Sequence, residues 1–141
     1  MRGPSFLDRS RSSWADIAVS AVLVLVISVP TMIVEEDWHG HPMIEQPGHL
    51  WIIPASFVAA AFLLGGTVAG YRRPSRAVLN SACAAGFAVV VLLLGAGARR
   101  IWVAHSMSIA VGRLWCLGVA AALVLSVTGS LFGRLLKARA Q

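Results

Sequence analysis

Long apolar runs alternate with short polar or basic segments along the whole chain. Four runs stand out, and each has about the 20 residues that an α-helix needs to cross ~30 Å of hydrocarbon. We predict spans at residues 15–34, 51–71, 77–98 and 114–132. The predicted fold class is all-α, an integral membrane bundle of four transmembrane helices joined by short loops.

The segments around these runs predict the remaining organisation. Residues 1–14 are polar, basic and serine-rich, which favours a cytoplasmic tail with little fixed structure. Residues 35–50 contain two glycines and two prolines and predict an irregular loop. Residues 101–112 are too short to span, so we expect a short interfacial helix or a re-entrant turn. The transmembrane domain then covers residues 15–134, and residues 135–141 form a second cytoplasmic tail.

Composition agrees with a membrane protein. The chain is 57% hydrophobic and 13% charged, whereas a soluble domain is about 45–50% apolar and about 25% charged. That little charge does not cover the surface of a soluble fold. Eleven of the 12 basic residues are arginine, a bias typical of GC-rich genomes, which favours a bacterial source.

The distribution of basic residues predicts orientation. With both termini inside, nine Lys or Arg residues lie on the inner side and three on the outer side, and such a bias sets topology. We expect a plasma-membrane protein with cytoplasmic termini, whose cations meet anionic headgroups. Trp14 and Tyr71 fall at the predicted inner interface, where amphipathic rings are favoured. The basic residues end apolar runs and form no stripe, so we expect no nucleic-acid partner.

Small residues recur at helical spacing in three spans, and such residues let helices approach closely in lipid. The second and fourth spans both end in a G-x-x-x-G pattern followed by arginine. We predict that these faces meet inside the bundle or at a self-association interface. The same two spans open with Gly-x-Leu-Trp, at residues 48–51 and 112–115, which raises the hypothesis of two repeated hairpins, although the Trp pair is offset by 64 residues and the glycines by 63. The predicted helix-packing residues are Gly66, Gly70, Ala84, Ala88, Gly118, Ala122, Gly129 and Gly133.

The four histidines, all on the predicted outer side, are the candidate metal ligands. His39, His41, His49 and His105 could together bind Zn²⁺ or Cu²⁺. The competing interpretation is that polar loops simply lie on this side. The spacing favours that second interpretation, because no helix places the imidazoles at i, i+4.

Polar residues within the spans are the other candidates. Asp16 lies within a turn of the predicted inner boundary, where we expect it to reach water, and Asn80 is also near an inner end. Hydroxyls in spans usually bond to backbone or to a neighbouring helix, so structural roles are expected. We predict no disulfide between Cys83 and Cys116, because their depths differ by roughly 15 Å.

The sequence lacks the signatures of several functions. No span carries a charge near its middle, as ion-coupled transporters usually do. The buried glutamate of small four-span multidrug transporters and the Cys-x-x-Cys of four-span epoxide reductases are both missing. No G-x-S-x-G, H-E-x-x-H or P-loop occurs. We therefore expect no enzymatic activity and no cofactor.

The segment LLGGTVAGYRRP at residues 63–74, followed by an Ala-rich span, resembles small four-span bacterial membrane proteins of uncharacterised function. Those proteins also end their second span in a glycine-rich turn into arginine. The resemblance covers the second and third spans. It implies a plasma-membrane location and brings no activity with it.

Three functional hypotheses follow. The leading one is a non-enzymatic membrane protein that acts by association, as an accessory subunit or scaffold. Its partners would be the lipid bilayer and another membrane protein or a second copy of itself. The second is a small oligomeric transporter or flippase for a neutral or amphiphilic substrate, with a path lined by Ser126, Thr128, Ser130 and Asn80. The third is an outer-face metal binder that uses the histidines.

Overall fold

The computed structural model describes residues 6–39, 52–103 and 109–140, with side chains for residues 14–34, 52–98 and 116–140. The described residues form four long α-helices and one 3-10 turn. The helices are α1 (Phe6–His39), α2 (Ile52–Arg72), α3 (Ala77–Val103) and α4 (Ile109–Arg139), and the 3-10 turn is Pro74–Arg76.

Helix α1 is longer than the apolar run from which it was predicted. It begins at Phe6 and continues through Pro30 to His39. The prediction of little fixed structure over residues 1–14 was therefore wrong for residues 6–14. Between Phe6 and Pro30 there is no glycine or proline, and an existing helix extends at little cost because its nucleus is already formed.

The separate element predicted over residues 101–112 is not found in its described parts, and residues 104–108 lie outside the described residues. Residues 101–103 continue α3, and residues 109–112 form the first turn of α4. Hydropathy falls after Ala98, but nothing there disfavours helical backbone, so the helix does not stop where the apolar run stops.

Helix α4 runs beyond its apolar segment as well. It ends at Arg139, so most of the tail predicted at residues 135–141 is helical. Leu, Lys, Ala and Arg are good helix formers, and they continue the turn pattern past Gly133.

The helices α2 and α4 run parallel and form the most extensive contact in the bundle. Helix α1 packs on α2 and α3, and α3 also contacts both α2 and α4. The start of α1, the ends of α2 and α4 and the start of α3 share one end of the bundle, which we call the basic end. The opposite end, where α1 and α3 finish, is the loop end.

Small residues fill the interior, whereas large apolar side chains face outward. The buried set includes Ala61, Ala69, Ala85 and several serines, with Val24 and Phe62 as its larger members. Gly65 lets α1 approach α2, because a Cβ there would lie 2.6 Å from a Val24 methyl carbon. The outward-facing side chains include Val22 and Val26 of α1, Phe57 and Leu64 of α2, Phe87 and Leu94 of α3, and Leu117 and Val124 of α4.

This distribution suits lipid rather than water as the surrounding solvent, since a soluble bundle rarely exposes so continuous an apolar surface. Segments of all four helices are long and apolar enough to cross a membrane. The chain is thus an all-α, multi-pass membrane protein.

Candidate functional site

The glycines of α2 pack directly against the backbone of α4. A Cβ atom at Gly66 would overlap the carbonyl oxygen of Ser126, and one at Gly70 would overlap that of Ser130. Both contacts join glycine to backbone, so no side-chain movement could make room. The two helices approach this closely because the glycines carry no side chain.

The glycines of α4 pack against α2 in the same way. A Cβ at Gly129 would overlap the carbonyl oxygen of Leu63, and one at Gly133 that of Thr67. Equivalent residues of the two helices are 63 positions apart in sequence. Gly66 corresponds to Gly129, and Leu63, whose carbonyl oxygen meets a glycine of α4, corresponds to Ser126, whose carbonyl oxygen meets a glycine of α2. The contact therefore has approximate two-fold symmetry, and the 63-residue offset of the glycines is its register.

Of the other predicted packing residues, the three alanines are buried and the glycine is exposed. Ala84, Ala88 and Ala122 are buried inside the bundle. Gly118 is exposed, and a Cβ there would meet nothing within 4 Å. It lies 11 residues, about three turns, before Gly129 and therefore on nearly the same face of α4. Gly118 nevertheless makes no close contact with another helix among the described residues.

The hydroxyl groups proposed to line a transport path do not share one surface. The Ser126 hydroxyl donates to the carbonyl oxygen of Ser81 on α3, at 3.1 Å. Ser130 is buried and donates to Val127 of its own helix. Thr128 is exposed on the opposite face of α4 and donates to Val124. Asn80 is buried on α3. These side chains support packing, and no common path through them exists in the described residues.

A cluster of charge lies at the basic end. Asp16 of α1 is 6% exposed, and its two carboxylate oxygens pair with two consecutive arginines. Oδ1 lies 2.9 Å from Nε of Arg72, and Oδ2 lies 2.9 Å from Nε of Arg73. The expectation that Asp16 would reach water was wrong, because the arginines that end α2 cover it.

Helix α4 adds a further cation to this cluster. The Lys137 ammonium lies 3.4 Å from the backbone oxygen of Arg72, and 6.0 Å from the centre of the Tyr71 ring. A cation near the last carbonyls of a helix meets the negative end of its dipole. Asp16, Arg72, Arg73 and Lys137, which we call the charge cluster, thus join α1, α2 and α4.

Sequence reasoning placed Asp16 and most of the basic residues on the inner side but missed the cluster. A signal was available: among the four spans, the first has an acid and the second ends in two arginines at the same predicted depth. Their pairing requires that α1 and α2 be neighbours and that each helix turn its charged side chain towards the other. Hydropathy along the chain predicts neither of these.

The metal hypothesis falls largely outside the described residues. His41, His49 and His105 are not described, and His39 is described only as the last residue of α1. Among the described residues, no group of three or more potential ligands is placed to bind a metal ion. Cys83 and Cys116 are exposed free thiols.

Comparison of the chain with protein-family models, with curated proteins and with solved structures gave no match. The interpretation of this protein therefore depends on its own residues. The resemblance to small four-span bacterial membrane proteins stays a prediction.

Proposed function

We propose that this protein acts by association, as a non-enzymatic accessory subunit or scaffold that binds another transmembrane helix. The G-x-x-x-G faces of α2 and α4 already pack against each other, so they are not available to a partner. The face that supports the proposal is instead the outward side of α3.

Three glycines on α3 make no close contact among the described residues, namely Gly86, Gly95 and Gly97, and two of them share one side of the helix. At both Gly86 and Gly97 a Cβ would meet nothing within 4 Å. They are 11 residues apart, about three full turns, so they lie on one side of the helix. Val90, between them, is exposed on the same side. We call this side, from Gly86 to Gly97, the glycine face of α3.

This face is the single observation that carries the proposal. Glycine lowers the stability of a helix interior by about 1 kcal/mol relative to alanine, and the bundle gains no close contact at these positions. In lipid, glycine on a helix surface allows a second backbone to approach. A partner helix that packs here would give both residues a function.

Replacement of the glycines tests the proposal. Gly86→Leu and Gly97→Leu should abolish co-purification of the partner after mild detergent extraction, because each side chain fills the face. Ala121→Leu, at an exposed position on α4, adds the same side chain elsewhere and should leave co-purification unchanged.

Cys83, one turn before Gly86 and exposed, provides a second test. In a Cys116→Ser background, a thiol crosslinker should capture the partner or a second copy through Cys83. A protein that remains monomeric and uncrosslinked in its native membrane would contradict the proposal.

We also propose that the basic end faces the cytoplasm at a bacterial plasma membrane. The support is the Lys/Arg bias together with Arg76, Arg134 and Arg139, which are exposed at that end. Reporter domains fused to the two termini should both report the cytoplasm. Reporters on opposite faces would contradict the topology.

A further inference from the structure

The charge cluster has more positive charge than its carboxylate neutralises. Arg72, Arg73 and Lys137 contribute three cations and Asp16 one anion. The negative end of the α2 dipole is worth about half an elementary charge, so a surplus of more than one charge remains. The Arg72 side chain is 47% exposed, so its guanidinium is accessible to an anion from outside the bundle.

Among the described side chains at the basic end, cations outnumber acids. Asp16 is the single acidic residue among the described side chains, which include six basic residues. Arg76 precedes α3 directly, and the 3-10 turn that contains it contacts α4. Arg76 therefore lies at the same end of the bundle as the charge cluster.

Two aromatic residues indicate the depth of the cluster in the bilayer. Trp14 is 70% exposed and lies two residues before Asp16. Tyr71 is 48% exposed and immediately precedes Arg72. Exposed Trp and Tyr favour the headgroup level of a bilayer, which is where lipid phosphates lie.

From these observations we infer that the charge cluster is a binding site for the phosphate group of an anionic lipid. Arg72 and Lys137 bind the phosphate oxygens from α2 and α4. Asp16 fixes the guanidinium planes through both Nε atoms, so that Arg72 is held in place before the lipid arrives. Guanidinium groups suit phosphate because they present several donors in one plane. The acyl chains lie along the apolar outer surface of the helices.

The test uses the full chain, purified in a nonionic detergent and titrated with phosphatidylglycerol. Binding is measured by native mass spectrometry, with phosphatidylcholine as the zwitterionic comparison. Lys137→Gln and Arg72→Gln should each weaken phosphatidylglycerol binding at least tenfold, and Lys137→Arg should retain it. Thermal unfolding with phosphatidylcholine alone verifies that each variant is folded.

Arg139→Gln is the matched control, since it removes one positive charge from the same end of α4. A cation that acts only through the general surface field contributes about 1 kcal/mol, or about fivefold in affinity. The control should lose no more than that. Equal losses in Lys137→Gln, Arg72→Gln and Arg139→Gln would overturn the site and leave only diffuse attraction. Competition by inorganic phosphate as effective as that by the lipid would overturn the lipid as its ligand.

Discussion

Gly70 of α2 lies so close to the carbonyl oxygen of Ser130 on α4 that the smallest side chain would collide with it. The contact repeats at Gly66 and is reciprocated by two glycines of α4. Backbone contact of this kind gains dispersion energy over many atoms. Because backbone touches backbone, adding a single carbon atom at one of these glycines would increase the distance between the two helices.

Gly70→Ala should therefore destabilise the bundle by about 1–3 kcal/mol, since the added methyl group forces two backbones apart. Unfolding in mixed micelles, followed by circular dichroism, measures the change. Gly118→Ala is the matched control, because a Cβ there meets open space. It should be neutral, or more stable by up to about 1 kcal/mol from helix propensity alone. Equal free energies of unfolding for the two variants would contradict the close contact between α2 and α4.

The pairing of Asp16 with two arginines attaches α1 to the end of α2. Asp16→Asn should lower the free energy of unfolding by about 1–3 kcal/mol. This lies between the values for exposed and for buried ion pairs, because Asp16 is buried while the Arg72 side chain is 47% exposed. Unfolding in the same mixed micelles measures it.

A double-mutant cycle with Arg73→Gln separates the ion pair from other effects of these substitutions. Coupling between Asp16 and Arg73 should appear as a non-additive free energy of at least 0.5 kcal/mol. Arg139→Gln combined with Asp16→Asn should be additive. Additive behaviour in both cycles would contradict the pairing.

The number and kind of helices could be predicted from the sequence, and this prediction is confirmed. Span two was expected at residues 51–71 and α2 is Ile52–Arg72; span three was expected to begin at residue 77, where α3 begins. These boundaries are accurate because Pro54 lies in the first turn of α2, and Pro74 separates α2 from α3. Where no such residue occurs, as before Ala15, hydropathy marks the edge of the lipid rather than the end of the helix.

The contacts between helices were harder to predict. A G-x-x-x-G pattern allows close approach to any helix, so the sequence left open whether α2 and α4 pair within one chain or between chains. The structure places the pair within the chain. Asp16 illustrates the same difficulty, because its depth was evident from the sequence, whereas its arginine partners depend on how α1 and α2 are rotated.

The hydrogen bond from the Ser126 hydroxyl to the Ser81 carbonyl oxygen joins α4 to α3. Ser126→Ala should destabilise the bundle by about 0.5–1.5 kcal/mol, the usual net value of one hydrogen bond, because the Ser81 carbonyl oxygen loses a donor from the neighbouring helix. Unfolding in mixed micelles again measures the loss.

Thr128→Ala is the control for this prediction, since Thr128 donates within α4 to Val124 and is exposed. Its change should stay within about 0.5 kcal/mol, as is usual for surface positions. The comparison also bears on transport, because a path lined by both hydroxyls would make the two substitutions alike in flux through reconstituted vesicles. Larger destabilisation by Thr128→Ala than by Ser126→Ala would show that α4 is rotated from the orientation described, and the glycine contacts with α2 would then fail as well.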